Sequence, residues 1–255
     1  MKLHRRDALA TLLAAGFALR DARADDSPRK PGYGVLSLIG HRMDVVTYHP
    51  AVGSRLDTND HQMVDLVEDL FDVEALRIIQ SSLQKANKGP VALYRGKDPA
   101  LFDQPLALFD GDRARLPDEL ITSMRADGAE RLLLVTRHRR EADLHERHGG
   151  TGSGPLEGMG YYIDGHKKMR RSDTGEIGRG FLAPFVYLRL SLLDLADQRV
   201  LKDQMISGST TLSVARAKES FDPWDVLTAE QKVNTLLRIL DHELQQAVPK
   251  LVDAA

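Results

Sequence analysis

The run FVYLRLSLLDL, residues 185–195, decides the fold class. Val186, Leu188, Leu190 and Leu192 fall on one side of an extended chain, and Tyr187, Arg189 and Ser191 on the other. That period of two is the mark of a strand. Asp197 and Gln198 signal a turn, and Val200, Leu201, Met205 and Ile206 beyond it supply an antiparallel partner. Further on, Thr228 and Gln231 have the spacing of a capping box. Val233, Leu236, Leu237, Leu240, Leu244 and Val248 then line one side of a helix that Pro249 is expected to end. Trp224, the single tryptophan, is expected to staple the start of that helix to the core.

Working toward the N-terminus, residues 132–135 (LLLV) read as a buried strand running outward into the charged stretch TRHRREADLHERH. Residues 117–126 predict a helix, with Leu120, Ile121 and Met124 on one side and Gly128 as its stop. Residues 91–94 predict a short strand, and residues 96–115 are loop-rich. A long helix is expected from an Asp60 cap to Gly89, carried by Met63, Leu66, Leu70, Phe71, Leu76, Ile79 and Leu83, with a break at Asp72 and Val73. Residues 35–39 and 43–48 predict two strands paired as a hairpin. The glycine-rich segment GGTGSGPLEGMG, residues 149–160, is expected to be a loop, with Tyr161, Tyr162 and Ile163 resuming a strand. These elements make one α+β domain over residues 35–252. Its mixed, mostly antiparallel sheet is packed by two or three helices.

The composition excludes several classes of chemistry. Of 255 residues, 42% are hydrophobic and 28% charged, an ordinary globular balance, and only 5% are aromatic. There is no cysteine, so disulfides, thiolate zinc sites, iron–sulfur clusters, a cysteine nucleophile and an N-terminal lipidated cysteine are ruled out. A net charge of -2 speaks against a generally basic nucleic-acid binder.

Residues 1–24 predict a cleavable export signal. Lys2, Arg5 and Arg6 form a basic start, a short apolar stretch follows, and Ala22-Arg23-Ala24 supplies the small-x-small pattern of a cleavage site between Ala24 and Asp25. The apolar stretch is about half of the roughly 20 residues that span a bilayer. The Arg5-Arg6 pair resembles that of a twin-arginine signal. Cleavage would leave 30 Lys+Arg against 35 Asp+Glu. Residues 25–34, polar and rich in proline and glycine, read as a flexible leader. The expected location is the periplasm, with no integral membrane segment after signal removal.

No catalytic set assembles from sequence. His138, His145 and His148 fall within eleven residues beside Asp143 and Glu146, and are the candidate metal ligands. They lack the HExxH arrangement and a placed third ligand, so a solvated charged strand end is the plainer account. His41 and His49 flank the second strand with Asp44 between them, a pairing capable of acid–base work or of simply lining a polar rim. The glycine-rich segment has no Lys-Ser/Thr ending for a phosphate, and Ser153 between glycines lacks a nucleophile elbow.

The element order carries a resemblance. An early strand and a long helix precede a helix that ends at residues 125–129 (RADGA) and runs into Leu132–Val135. The strand of residues 185–195 follows with its Leu193-Asp194-Leu195 ending, then a turn and the Ser/Thr-rich residues 207–211 (SGSTT), and a helix closes the chain. This resembles the periplasmic α/β domain shared by the N-terminal domain of TolB, the curli secretion protein CsgG and the lipoprotein activator LpoB, over residues 35–252. The sequence departs from that pattern in lacking the lipid-attachment cysteine and in the longer, glycine-rich insertion between Arg137 and Phe181. The chain also resembles exported proteobacterial proteins, a resemblance that implies no activity. The expectation is an accessory or binding protein of the cell envelope that partners another envelope protein, with no cofactor and no nucleic acid. The alternative is a periplasmic metal-dependent hydrolase built on His138, His145 and His148.

Overall fold

A computed structural model describes residues 31–50, 59–66, 69–96, 98–146, 149–170, 174–216 and 222–253. The expected signal of residues 1–24, its Ala24/Asp25 cleavage point and most of the expected leader lie outside the described residues. So does His148.

In chain order the first strands are β1 (Gly32–Leu38), β2 (Arg42–Thr47) and β3 (Asp60–Asp65), followed by helix α1 (Leu70–Lys85) and β4 (Val91–Arg95). A short helix α2 (Ala100–Asp103), the small pair β5 (Phe109–Asp110) and β6 (Arg113–Ala114), and α3 (Asp118–Ala126) come next. Then follow β7 (Ala129–Arg137), β8 (Arg139–Glu141), β9 (Leu144–Glu146), β10 (Gly149–Thr151) and the long β11 (Pro155–Arg170) and β12 (Ile177–Asp194). β13 (Val200–Ser209), β14 (Leu212–Ser213) and α4 (Ala229–Val252) complete the chain. The fold is α+β, rich in sheet. The main sheet runs β3-β2-β11-β12-β7-β1-β4, with β13 and β14 on the far side of β12 and β8 on β11. β1–β4, β1–β7 and β2–β11 are parallel and the remaining pairs antiparallel, so the expected mixed, mostly antiparallel sheet is present.

β12 organises everything. Along one edge its first half pairs with β11 (Tyr187 opposite Gly158) and its second half with β7 (Leu188 opposite Arg137). Where β7 leaves that edge, β11 takes over. β1 and β2 repeat the handover one row out: β1 lies beside β7 and β2 beside β11, and both run the same way. The predicted β1–β2 hairpin is therefore corrected. The connection at Ile39, Gly40 and His41 does not reverse the chain; it steps the strand from one half of the sheet to the other.

Three more expectations are corrected. Residues 60–65 form β3 against β2 rather than a helix start, and Asp60 caps nothing; α1 begins at Leu70, after Asp69, and continues through Asp72. The three-and-four spacing before Leu70 was coincidental, because pairing with the free edge of β2 decides the conformation there. The segment 149–160 is strand at both ends, β10 and the start of β11, leaving the turn at Gly152–Gly154. Glycine's weak strand preference is overridden by ladder pairing with β9, β8 and β12. Finally, α4 passes through Pro249 to Val252. The missing N–H falls in the last turn, where Val248, Leu251 and Val252 are buried and hold the helix against the sheet.

One face of the sheet is covered by α1 and α4. Phe71, Ile78, Ile79 and Leu83 from α1 meet Leu236, Leu240, Leu244 and Leu251 from α4 over Val35, Val135 and the even-numbered side of β12. The N-cap of α4 is the predicted box, Thr228 accepting from Gln231 N–H and Gln231 from Thr228 N–H. Trp224 staples the entry as expected: its ring meets Tyr161 edge-on at 5.7 Å, and Lys232 Nζ lies 4.0 Å above it.

The opposite face carries two separate covers. α2 and α3 lie over Leu36, Leu38, Leu132, Leu134 and Leu193. The β8–β10 excursion lies over Val46, Tyr162, Phe181, Phe185 and Tyr187. Two tyrosine hydroxyls fasten it, Tyr187 accepting from Asp143 N–H (2.9 Å) and Tyr162 from Ser153 N–H (3.2 Å). Between the two covers the sheet is left open at the handover. Among the described residues no helix is long and apolar enough to cross a membrane.

Candidate functional site

The opening holds two adjoining cavities of about 410 and 380 Å3 that share Arg42, Asp103 and Arg137. The outer one is floored by Ile39 and Gly40 and walled by Pro99 and Phe102. The inner one reaches Asp44, His61, Arg139, Glu157 and Met159. Together they form a groove at the carboxyl ends of the parallel strands β1, β4 and β7, where strand order changes and where open α/β sheets bind ligands.

Each wall is placed by local chemistry. The floor is pinned by Asp72 of α1, buried under the step between β1 and β2. Its Oδ1 accepts from Ser37 Oγ (2.5 Å) and Ile39 N–H (2.9 Å), and its Oδ2 from Gly40 N–H (3.0 Å). Burial nevertheless pushes its carboxyl above the usual 3.8, outweighing the three donors.

Arg137, the last residue of β7, lies across Gly158. A Cβ there would sit 2.9 Å from Arg137 Cδ and push that side chain aside, and the backbone φ of +70° is the stronger reason for glycine. The guanidinium donates through one terminal nitrogen to Phe102 O, tying α2 to β7. Its Nε stands 3.7 Å from Glu157 Oε1, beyond hydrogen-bond reach, and is buried without a hydrogen-bond partner.

Asp44 is 3% exposed. Its Oδ2 is 2.7 Å from His61 Nδ1, while its Oδ1 is buried with no partner at all. Burial pushes this carboxyl up from 3.8, against the hydrogen bond and charge of His61, with Glu157 adding to the rise and Arg139 opposing it. β11 comes close enough here that a Cβ on Gly160 would stand 1.9 Å from Asp44 O.

The histidine candidates separate. His145 bonds Ser209 Oγ through Nδ1 (2.9 Å) and lines a different, open cavity beside β13 and α4. His138 sits at the handover, where burial first, then Arg140 and Arg189, push its pKa down, and it lines neither cavity of the groove. Among the described residues no three histidine or carboxylate side chains gather as metal ligands.

The predicted Asp44 pairing with His41 or His49 is also rearranged: His41 lies 3.8 Å from Asp65, and His49 2.8 Å from Asp60. Asp44 takes His61 because β3 pairs antiparallel with β2, Asp44 opposite Met63, which makes His61 its diagonal neighbour on one face. Reading residues 60–65 as a strand would have revealed that pair. Asp72, Arg137, Phe102 and Glu157 had no sequence signal, since each acts across more than fifteen residues of chain.

No protein-family model and no curated protein matches the chain. Among solved structures it is similar to a Helicobacter pylori protein described as a neuraminyllactose-binding hemagglutinin homolog. The identity is 10%, coverage is 88% of this chain and 86% of that one, and the TM-score is 0.41. It is also similar to Xanthomonas campestris protein XCC0632 (11% identity, 89% of each chain, TM-score 0.37). A third is the PelC dodecamer of Paraburkholderia phytofirmans (9% identity, 88% of this chain and 89% of that one, TM-score 0.33). Likenesses this low carry no statement about ligand or activity.

Proposed function

We propose that this chain is an exported, non-catalytic accessory or binding protein of the cell envelope, of the TolB-like periplasmic class, and that its ligand occupies the groove between the two covers. The observation that carries the binding half is the pair of adjoining cavities sharing Arg42, Asp103 and Arg137 at the carboxyl ends of parallel strands. The export half rests on the three-part pattern of residues 1–24. A metal-dependent hydrolase has no comparable support, because His138 and His145 face different surroundings.

Each half has its own test. Fractionation of cells producing a C-terminally tagged chain should recover it from the periplasm, cut after Ala24; full-length protein confined to the cytoplasm would overturn export. Amide chemical-shift mapping with a small-molecule extract of the periplasm should move Gly40, Arg42, Phe102, Asp103 and Arg137 first. Shifts confined to other faces would overturn the groove as the site.

A further inference from the structure

We infer that the groove takes an uncharged, hydroxyl-rich ligand, a saccharide, held by Asp44 and Arg137 acting together. This rests on the groove being the binding site. Two buried atoms in its inner walls lack hydrogen-bond partners: the acceptor Asp44 Oδ1 and the donor Arg137 Nε. Buried polar groups are seldom left so, since each unmade bond costs about 1–3 kcal/mol. A hydroxyl group, like water, gives a proton to one and accepts from the other, and a ligand rich in hydroxyls can take the place of water at both.

The lining argues against an ion. Among the described residues the inner cavity presents three arginines, Arg42, Arg137 and Arg139, against three carboxylates, Asp44, Asp103 and Glu157, with His61 taken up by Asp44 at 2.7 Å. Arg42 is already held by Asp65 at 3.1 Å, and Arg137 by Phe102 O. An anion would meet as much repulsion as attraction, and so would a cation. Vicinal hydroxyls, in contrast, match alternating planar donors and acceptors, and the Phe102 ring at the outer mouth offers a surface to the C–H face of a sugar ring. Both atoms, which lack only hydrogen bonds, are closed to water as the groove stands, so entry turns wall side chains aside, a change common at binding surfaces.

The test is amide chemical-shift titration of the purified protein with four probes: maltose and N,N′-diacetylchitobiose as neutral saccharides, inorganic phosphate, and ethanolamine. At least one saccharide should shift Arg42, Asp44, Phe102 and Arg137 in a saturable way. The apparent Kd should weaken tenfold or more in Asp44→Asn and in Phe102→Leu, the second variant guarding against a local folding defect in the first. Groove shifts with phosphate or ethanolamine and none with the saccharides would overturn the ligand class while leaving the groove as the site. No groove shift with any of the four, while the periplasmic extract still moves the groove, would likewise overturn the ligand class alone. Silence with the extract too would overturn both.

Discussion

Two buried carboxylates flank the step in the sheet, one on each face, and the protein treats them oppositely. Asp72, on the helical side, receives three hydrogen bonds and fastens the chain where β1 ends. Asp44, on the groove side, receives one from His61 and keeps an oxygen with no partner. Burial raises the pKa of both. What separates them is use: the donors around Asp72 are all inside the fold, whereas part of the bonding capacity of Asp44 is not consumed by folding. A carboxylate whose bonds are all internal serves the architecture; one held half-satisfied beside a cavity keeps an oxygen for the ligand proposed above.

The contrast can be broken experimentally. The largest effect is expected from Asp72→Ala, which strands Ser37 Oγ and two backbone N–H groups under a helix. A loss of about 3–5 kcal/mol in chemical denaturation is expected, as for other broken buried networks. Gly160→Ala should follow at about 3 kcal/mol, because its Cβ would stand 1.9 Å from the backbone oxygen of Asp44 and must push β2 from β11. Its sharper readout is the loss of amide-exchange protection in β2 and β3 ahead of β1.

Asp44→Asn should change stability at neutral pH by less than about 1 kcal/mol, since it removes a buried charge along with one hydrogen bond. A loss as large as that of Asp72→Ala would erase the distinction between the two sites.

The pH dependence sharpens it. With the folded pKa of Asp44 above the unfolded 3.8, ionisation is harder in the folded state, so Asp44 costs stability above its folded pKa. That penalty fades as the pH falls and is gone below 3.8. Wild-type stability should therefore gain on Asp44→Asn as pH is lowered from neutral toward 3.8; denaturation at four or five pH values would show it, and parallel curves would refute it.

The smallest effect belongs to His61→Ala, at about 0.5 kcal/mol for one partly exposed partner lost. It should also raise the Asp44 pKa further by removing its remaining donor, which carboxyl-carbon NMR titration would read directly.

Much of the framework could be read without coordinates. β12, β7, α3 and α4 announce themselves because burial on a fixed period leaves a one-dimensional trace: Val186 to Leu192 alternate, and Leu236, Leu240 and Leu244 recur at four. The errors cluster where that trace is weak. β3 has mostly exposed side chains, so no buried period distinguished it from a helix start. The glycines from 149 to 160 have no side chains to show a period, and their pairing comes from β8, β9 and β12. The groove was the least legible part, because Asp44 meets His61, Arg137 meets Phe102 and Asp72 meets Ser37 only after the sheet has formed.

The order of residues alone determined which segments bury an apolar side, where the last helix is capped, and which cysteine-based chemistries are impossible. Tertiary structure alone decided that β1 and β2 run in tandem across two halves of one sheet, and that the seam between those halves stays open. The reason is range: side-chain period and capping act over a few residues, whereas strand order and the meeting of distant charges depend on which edges are free when the sheet closes.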